Sequence, residues 1–432
     1  MSVPETDRSV SGTDRPDALV TPVPRDPRDP EDADTGPVRL LAPDGRRLAD
    51  DTYDPYIADL ADTELYGLLR DMVIVRRLDE EATALQRQGE LGLWASLRGQ
   101  EAAQVGSARA LRDDDMVFPS YREHGVAWCR GVDPLDVLSL FRGVNHGGWD
   151  ADEHGFQDYS IVVGSQTLHA TGYAMGVTRE LAADGDGGLP VTVVYFGDGA
   201  SSQGDVNEAL NWAGVFEAPV VFFCQNNQWA ISEPTRRQTR APIFRRARGF
   251  GLPGVQVDGN DVLATLAVTR YALQAARRRC PVLVEAVTYR MGAHTTADDP
   301  SRYRHADELA GWSRRDPVQR MAAYLRGRGL LDDSRAADLD AEADALATTL
   351  REGCLRLPDP SPHSMFDHVY VHDTETPAAA RDACEQAEPS GQPEPSGPGE
   401  PSGQAGPSAD PAVVSPLLTV AAAPLHHTRK AI

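Results

Sequence analysis

Between residues 62 and 91, Leu65, Leu68, Leu69, Met72, Val73, Leu78 and Leu85 recur near helical spacing. That spacing predicts a long helix with one face packed inward, and Asp62 or Thr63 stands ready as its N-cap. A second helix is predicted over residues 101–111, then a short extended run, 116–118, which delivers Tyr121 and Arg122 to a loop. Beyond it the period changes. Residues 191–196, 220–224 and 282–287 are short, mostly apolar runs of the kind that form strands buried on both faces. Between the first two, Val206, Ala209, Leu210 and Ala213 mark one face of a helix. Alternation of this type builds an open, mostly parallel sheet with helices on both faces, so the predicted fold class is α/β.

The ends of the 432-residue chain break the pattern. Residues 1–50 are rich in Asp, Arg and Pro, and residues 376–432 run through EPSGQPEPSGPGEPSGQAGPSAD. Such stretches carry too few apolar side chains to offset the entropy of ordering, so two disordered tails are expected around one domain over residues 51–375. The net charge of −23 would repel a phosphate backbone, which argues against nucleic acid as a partner. The longest strongly apolar run, residues 218–224, is too short to span a bilayer, and MSVPETDRSV has the makings of neither a secretory signal nor a transit peptide. Five scattered cysteines, Cys129, Cys224, Cys280, Cys354 and Cys384, have no metal-type spacing and fit a reducing cytoplasm. Lys430 is the single lysine. Without a lysine in its core the chain can be neither a Schiff-base enzyme nor a P-loop nucleotidase. GxSxG and HExxH are absent, and the acidic-glycine run at residues 184–188 lacks the further ligands of a calcium loop and reads as a turn.

The most informative stretch is GDGASSQGDVNEALNWAGVFEAPVVFFCQNNQWAIS, residues 197–232. Asp198 ends one predicted strand and Asn227 follows the next, 29 positions later. In a parallel sheet the carboxyl ends of neighbouring strands form the ligand crevice, so one strand-helix-strand step brings these two oxygen donors toward one ion. An anionic and a neutral hard oxygen suit magnesium, with the Trp229 carbonyl as a further donor. Gly197 and Gly199 let the turn approach a diphosphate closely.

GDG followed after 26 residues by NN resembles the thiamine diphosphate signature. The wider match is more specific: QRQGELGLWASLRGQEA (86–102), FPSYREHG (118–125), VDGND (257–261) and YRMGAHTTADDPSRYR (289–304) resemble the alpha subunit of the decarboxylating component of 2-oxo acid dehydrogenase complexes. The branched-chain 2-oxo acid and pyruvate types are the nearest classes, over residues 50–372. An acetoin-type alpha subunit and an inactive scaffold paralogue are the more distant readings.

The resemblance implies thiamine diphosphate and magnesium as cofactors and a role for each matching position. Asp198, Asn227 and the Trp229 carbonyl would hold the metal. Tyr121, Arg122, Gly199 and Ala200 would contact the diphosphate, Ser165 and Thr167 the aminopyrimidine, and Arg290 and His294 the diphosphate and the reacting centre, with His294 catalytic. A histidine there has a charge that switches near neutral pH. The glutamate that activates the cofactor ring belongs to a beta subunit in two-chain members, so an α2β2 partner is expected, together with a lipoyl-bearing acyltransferase. Two departures stand out. Thr295 replaces the serine that regulated members phosphorylate, which leaves control by a dedicated kinase in doubt. His169 and Ala170 stand where some members bind potassium, so potassium is not expected.

Overall fold

The computed structural model describes residues 36–145, 147–180, 188–366 and 375–387. Most of the two expected tails, and residues 184–187 of the acidic-glycine run, lie outside them. Five parallel strands form one sheet: β1 (Met116–Phe118), β2 (Thr192–Gly197), β3 (Val220–Asn226), β4 (Gly254–Asp258) and β5 (Val282–Val287), in the spatial order β1-β2-β3-β5-β4. The main helices are α1 (Asp62–Arg87), α2 (Glu101–Ala108), α3 (Ser165–Glu180), α4 (Gly204–Phe216), α5 (Val262–Ala276), α6 (Pro317–Gly327) and α7 (Asp333–Arg356).

The strand order explains why helices cover both faces. Steps from β1 to β4 run in one direction across the sheet, and the step back to β5 reverses it. Right-handed crossovers therefore place α3 and α4 on one face and α5 on the other. Side chains divide accordingly: Val193, Tyr195, Val221 and Phe223 join α1, α2 and α5 in the larger core, while Val194, Phe196, Phe222 and Cys224 meet α3 and α4. No helix among the described residues is long and apolar enough to cross a membrane.

Local details differ from the expected ones. Helix α1 stops at Arg87 and is capped from Ala61, whose N–H donates to the Glu64 carboxylate at 2.8 Å, so Asp62 and Thr63 already lie inside it. Strand β4 was not anticipated, because GVQVD offers only two apolar residues. The packed chain also begins earlier than residue 51. Val38 pairs with Val257 at the open edge of β4, and Leu40 and Leu41 are wholly buried. Their amides donate to the Asp261 carboxylate at 2.7 and 2.5 Å. Arg39, which looked like part of a charged tail, instead pairs with Asp258. At the other end a helix, α8, spans Glu375–Ala387.

Arg320 clamps this N-terminal segment. Its buried guanidinium donates to the carbonyls of Leu41 and Ala42 and to Asp258. Arg320→Ala should lower unfolding stability in urea by about 3–5 kcal/mol, the usual result of stranding a buried partner. Arg328→Ala, which removes an exposed pair with Asp62 and a surface contact with Tyr324, should cost no more than about 1 kcal/mol.

Candidate active site

The strand register decides what meets at the carboxyl edge of the sheet. Gly197 lies opposite Gln225 and Asn226 opposite Val287, so the chain leaves three neighbouring strands at one level. A cavity of about 470 Å³ opens there, with Tyr121, Arg122, Asp198, Asn227 and His294 in its walls. Gly199 is required by close approach: a Cβ at that position would lie 2.7 Å from the Cβ of Ala230. At Gly197 a Cβ would meet no protein atom within 4 Å, which leaves backbone open to a ligand.

Asp198 is buried, and its Oδ2 accepts from Thr235 Oγ1 at 2.6 Å and Gln238 Nε2 at 3.2 Å. It has no ion pair among the described residues, and burial raises its pKa above the usual carboxylate value. Asn227 donates Nδ2 to Gln100 Oε1 at 2.8 Å, which leaves its amide oxygen as the acceptor. The Trp229 carbonyl accepts from Arg290 Nη1 at 2.9 Å. No group of three or more His, Cys, Asp or Glu side chains among the described residues is arranged for a metal. The donors available are one carboxylate, one amide oxygen and one backbone carbonyl. All are hard oxygens, which fits magnesium better than a softer ion.

Opposite charge stands close by. Arg122 donates to the carbonyls of Ser96 at 2.6 Å and His294 at 2.8 Å, and Arg290 to those of Trp229 and Ile231. Neither guanidinium forms an ion pair among the described residues, and the buried Nε of Arg290 has no hydrogen-bond partner. Burial, helped by the nearby Arg122 charge, lowers the Arg290 pKa to about 10. His294 Nδ1 lies 3.3 Å from Arg122 Nη2 and 3.2 Å from Arg290 Nη1. Guanidinium groups only donate, so Nδ1 accepts and the ring proton sits on Nε2. Burial and the two arginines push the His294 pKa down to about 3. Burial first, and then the two flanking cations, thus move the titration of the ring below the neutral range that its type would suggest.

The model of the family described as "Dehydrogenase E1 component" matches residues 69–349. The chain belongs to this family. It is 47% identical over 353 residues to the 3-methyl-2-oxobutanoate dehydrogenase subunit alpha of Mycobacterium tuberculosis, covering 81% of this chain and 93% of that protein. It is 37% identical over 301 residues to the pyruvate dehydrogenase E1 component subunit alpha of Staphylococcus epidermidis, covering 69% and 79%. The corresponding Staphylococcus aureus subunit is 36% identical over 311 residues.

In this E1 chain the cavity wall also holds Gly199, Ala200 and Trp229, while Arg290 is fully buried behind Trp229 and His294. Ser165 and Thr167 are not among the residues that line the cavity. Ser165 Oγ donates to Val162 O and Thr167 Oγ1 to Gly164 O, local bonds at the start of α3, and Gly164 and Gln166 line the cavity beside them. Sequence reasoning missed a polar network that braces the E1 site. Gln225 Oε1 accepts from Gln100 and Gln104, and its Nε2 donates to Glu123 Oε1 at 2.6 Å. Glu123 in turn accepts from the Ser120 amide and hydroxyl, which fixes the loop bearing Tyr121 and Arg122. The available signal was an amide, Gln225, closing an otherwise apolar strand.

Histidine-detected NMR of the cofactor-free protein should show His294 neutral, with its proton on Nε2, from pH 5 to 8. Its folded pKa of about 3 lies below the ordinary 6.5. In that window the unfolded chain binds more protons, so the contribution of His294 to stability is intact above pH 6.5 and declines as pH falls toward 3. A titration midpoint near 6.5 would contradict the two-arginine arrangement.

Proposed function

We propose that the chain is the alpha subunit of a 2-oxo acid dehydrogenase that decarboxylates a branched-chain 2-oxo acid such as 3-methyl-2-oxobutanoate. The acyl group passes to the lipoyl group of a separate acyltransferase. The observation that supports this reading is the charge around one cavity of an E1 chain: among the described residues Asp198, Arg122 and Arg290 form no ion pair, although the Arg290 charge acts on Asp198 from a distance. A metal-bridged diphosphate would satisfy all three. Identity of 47% to a branched-chain alpha subunit, against 37% to a pyruvate one, favours the branched-chain substrate; pyruvate is the second reading.

Thiamine diphosphate, when bound, supplies the nucleophilic carbon and the electron sink for loss of carbon dioxide. Asp198, Asn227 and the Trp229 carbonyl would hold magnesium. Tyr121, Arg122, Gly199 and Ala200 would face the diphosphate, with Arg290 adding its charge from behind. Ser165 and Thr167, at the start of α3, would meet the aminopyrimidine, with Gly164 and Gln166 beside them in the cavity wall. His294 holds a proton on Nε2, from which it donates to the reacting oxygen. Proximity of a bound anion to Arg122 and Arg290 would also relieve the electrostatic pressure on this ring. A beta subunit, in an α2β2 assembly, would complete the site and supply the glutamate that activates the cofactor. We place the assembly in the cytoplasm.

The assembled enzyme, co-expressed with its beta-type partner, tests these roles. Asp198→Asn should abolish magnesium-dependent thiamine diphosphate binding in calorimetry, and unchanged binding heat would remove Asp198 from the metal site. His294→Ala should keep cofactor affinity and lose about 10²–10⁴-fold in kcat, the range for a positioned acid-base group. Arg290→Ala should instead weaken cofactor binding.

A further inference from the structure

Five polar side chains stand in hydrogen-bonded contact behind the candidate metal ligands. Gln100 and Gln104, one turn apart at the start of α2, face Gln225 near the end of β3, with Asn227 and Glu123 at the two ends of the group. All five are buried, so each depends on the others for its hydrogen bonds. An amide carries an acceptor oxygen on one side and a donor nitrogen on the other, and in a packed interior its neighbours decide which way round it stands.

Here the decision starts on the backbone. Gln104 Oε1 accepts from the Gly125 N–H at 2.9 Å, and its Nε2 donates to the Arg122 carbonyl at 3.0 Å. Neither backbone group can reverse its role, so Gln104 shows Gln225 a donor, 3.1 Å from Oε1. Glu123 dictates the same direction from the far side. Its Oε2 accepts from the Ser120 amide and hydroxyl, and its Oε1 accepts from Gln225 Nε2 at 2.6 Å. With the Gln225 oxygen facing α2, Gln100 donates Nε2 to it at 2.9 Å and has only Oε1 left for its other side, where Asn227 Nδ2 donates at 2.8 Å. Asn227 therefore turns its oxygen away from Gln100. The Trp229 N–H, 3.3 Å from that oxygen, favours the same orientation.

We infer that Gln100 and Gln225 are positioning residues for the metal: a one-way relay of amide hydrogen bonds, set by the backbone of residues 122 and 125 and by Glu123, presents the oxygen of Asn227 to the ion. The inference rests on the metal site proposed above. A reversed relay would aim the Asn227 NH2 group at a cation. Loss of a group that orients a metal ligand costs about 10–100-fold in metal affinity.

The experiment measures Mn2+ binding by electron paramagnetic resonance in the assembled enzyme with excess thiamine diphosphate. Gln100→Met keeps the length of the side chain and removes its polarity, and it should weaken Mn2+ binding at least about tenfold. Asn227→Asp has an oxygen on either side and needs no orienting partner, so in that background Gln100→Met should change affinity less than about twofold, a cancellation that simple loss of packing would not produce. Gln225→Met leaves Gln100 its bond to Asn227 but removes what fixes the direction of that bond. It should show a smaller loss with the same cancellation, and it decides the matter if Gln100→Met fails to fold. Unchanged affinity, or an equal loss in the Asn227→Asp background, would overturn the relay while leaving the metal site in place. A wild-type assembly that binds no Mn2+ beside the cofactor would overturn both.

Discussion

The parallel register of β2 and β3 is the constraint on which the site depends. With Gly197 opposite Gln225, the next residues on each strand, Asp198 and the pair Asn226 and Asn227, emerge side by side. Adjacent strands stand about 4.8 Å apart, a separation that a single ligand can bridge. A slip of one residue would exchange the faces of β3. Gln225 would then lose Gln100, Gln104 and Glu123, and Asn226 would lose its bond to Glu285 at 2.7 Å. Each of those polar groups would be buried without a partner, so the networks that brace the site also lock the register that creates it.

The electrostatics follow from how the chain uses its carbonyls. Arg122 and Arg290 are held by the backbone oxygens of Ser96, His294, Trp229 and Ile231 rather than by carboxylates. Those bonds position both guanidiniums without a direct ion pair among the described residues, although Asp298 acts on Arg290 from a distance. Asp198 shows the converse, a buried carboxylate held only by neutral donors. The folded chain therefore carries strain that a ligand of matching charge would relieve, and tight binding of such a ligand would also stabilise the fold.

Much of this was legible from residue order. Strands β2, β3 and β5 are buried on both faces and so read as apolar runs, while Asp198 and Asn227 were found because each follows such a run. Strand β4 was not legible, since GVQVD owes its place to pairing with β5 and Val38. The N-terminal segment misled because its Asp and Arg content hides Leu40 and Leu41, and because Arg39 has a partner far along the chain in Asp258. Ser165 and Thr167 stand at the start of α3, where their hydroxyls bond carbonyls of their own turn while the neighbouring Gly164 and Gln166 line the cavity. Gln100, Gln225 and Glu123 were missed for a different reason. Amides and a carboxyl gain meaning only from what they meet across the fold.

Every buried cation described above is a guanidinium, and the only ε-amine of the chain is at Lys430. A lysine in the place of Arg290 could shed its proton under the same burial and become a nucleophile. Arginine neither deprotonates in this range nor attacks carbonyl carbon readily. A protein that handles activated acyl groups thus presents, through residues 1–429, no side-chain amine for them to modify, and its internal charges stay constant where an amine would be silenced by acylation.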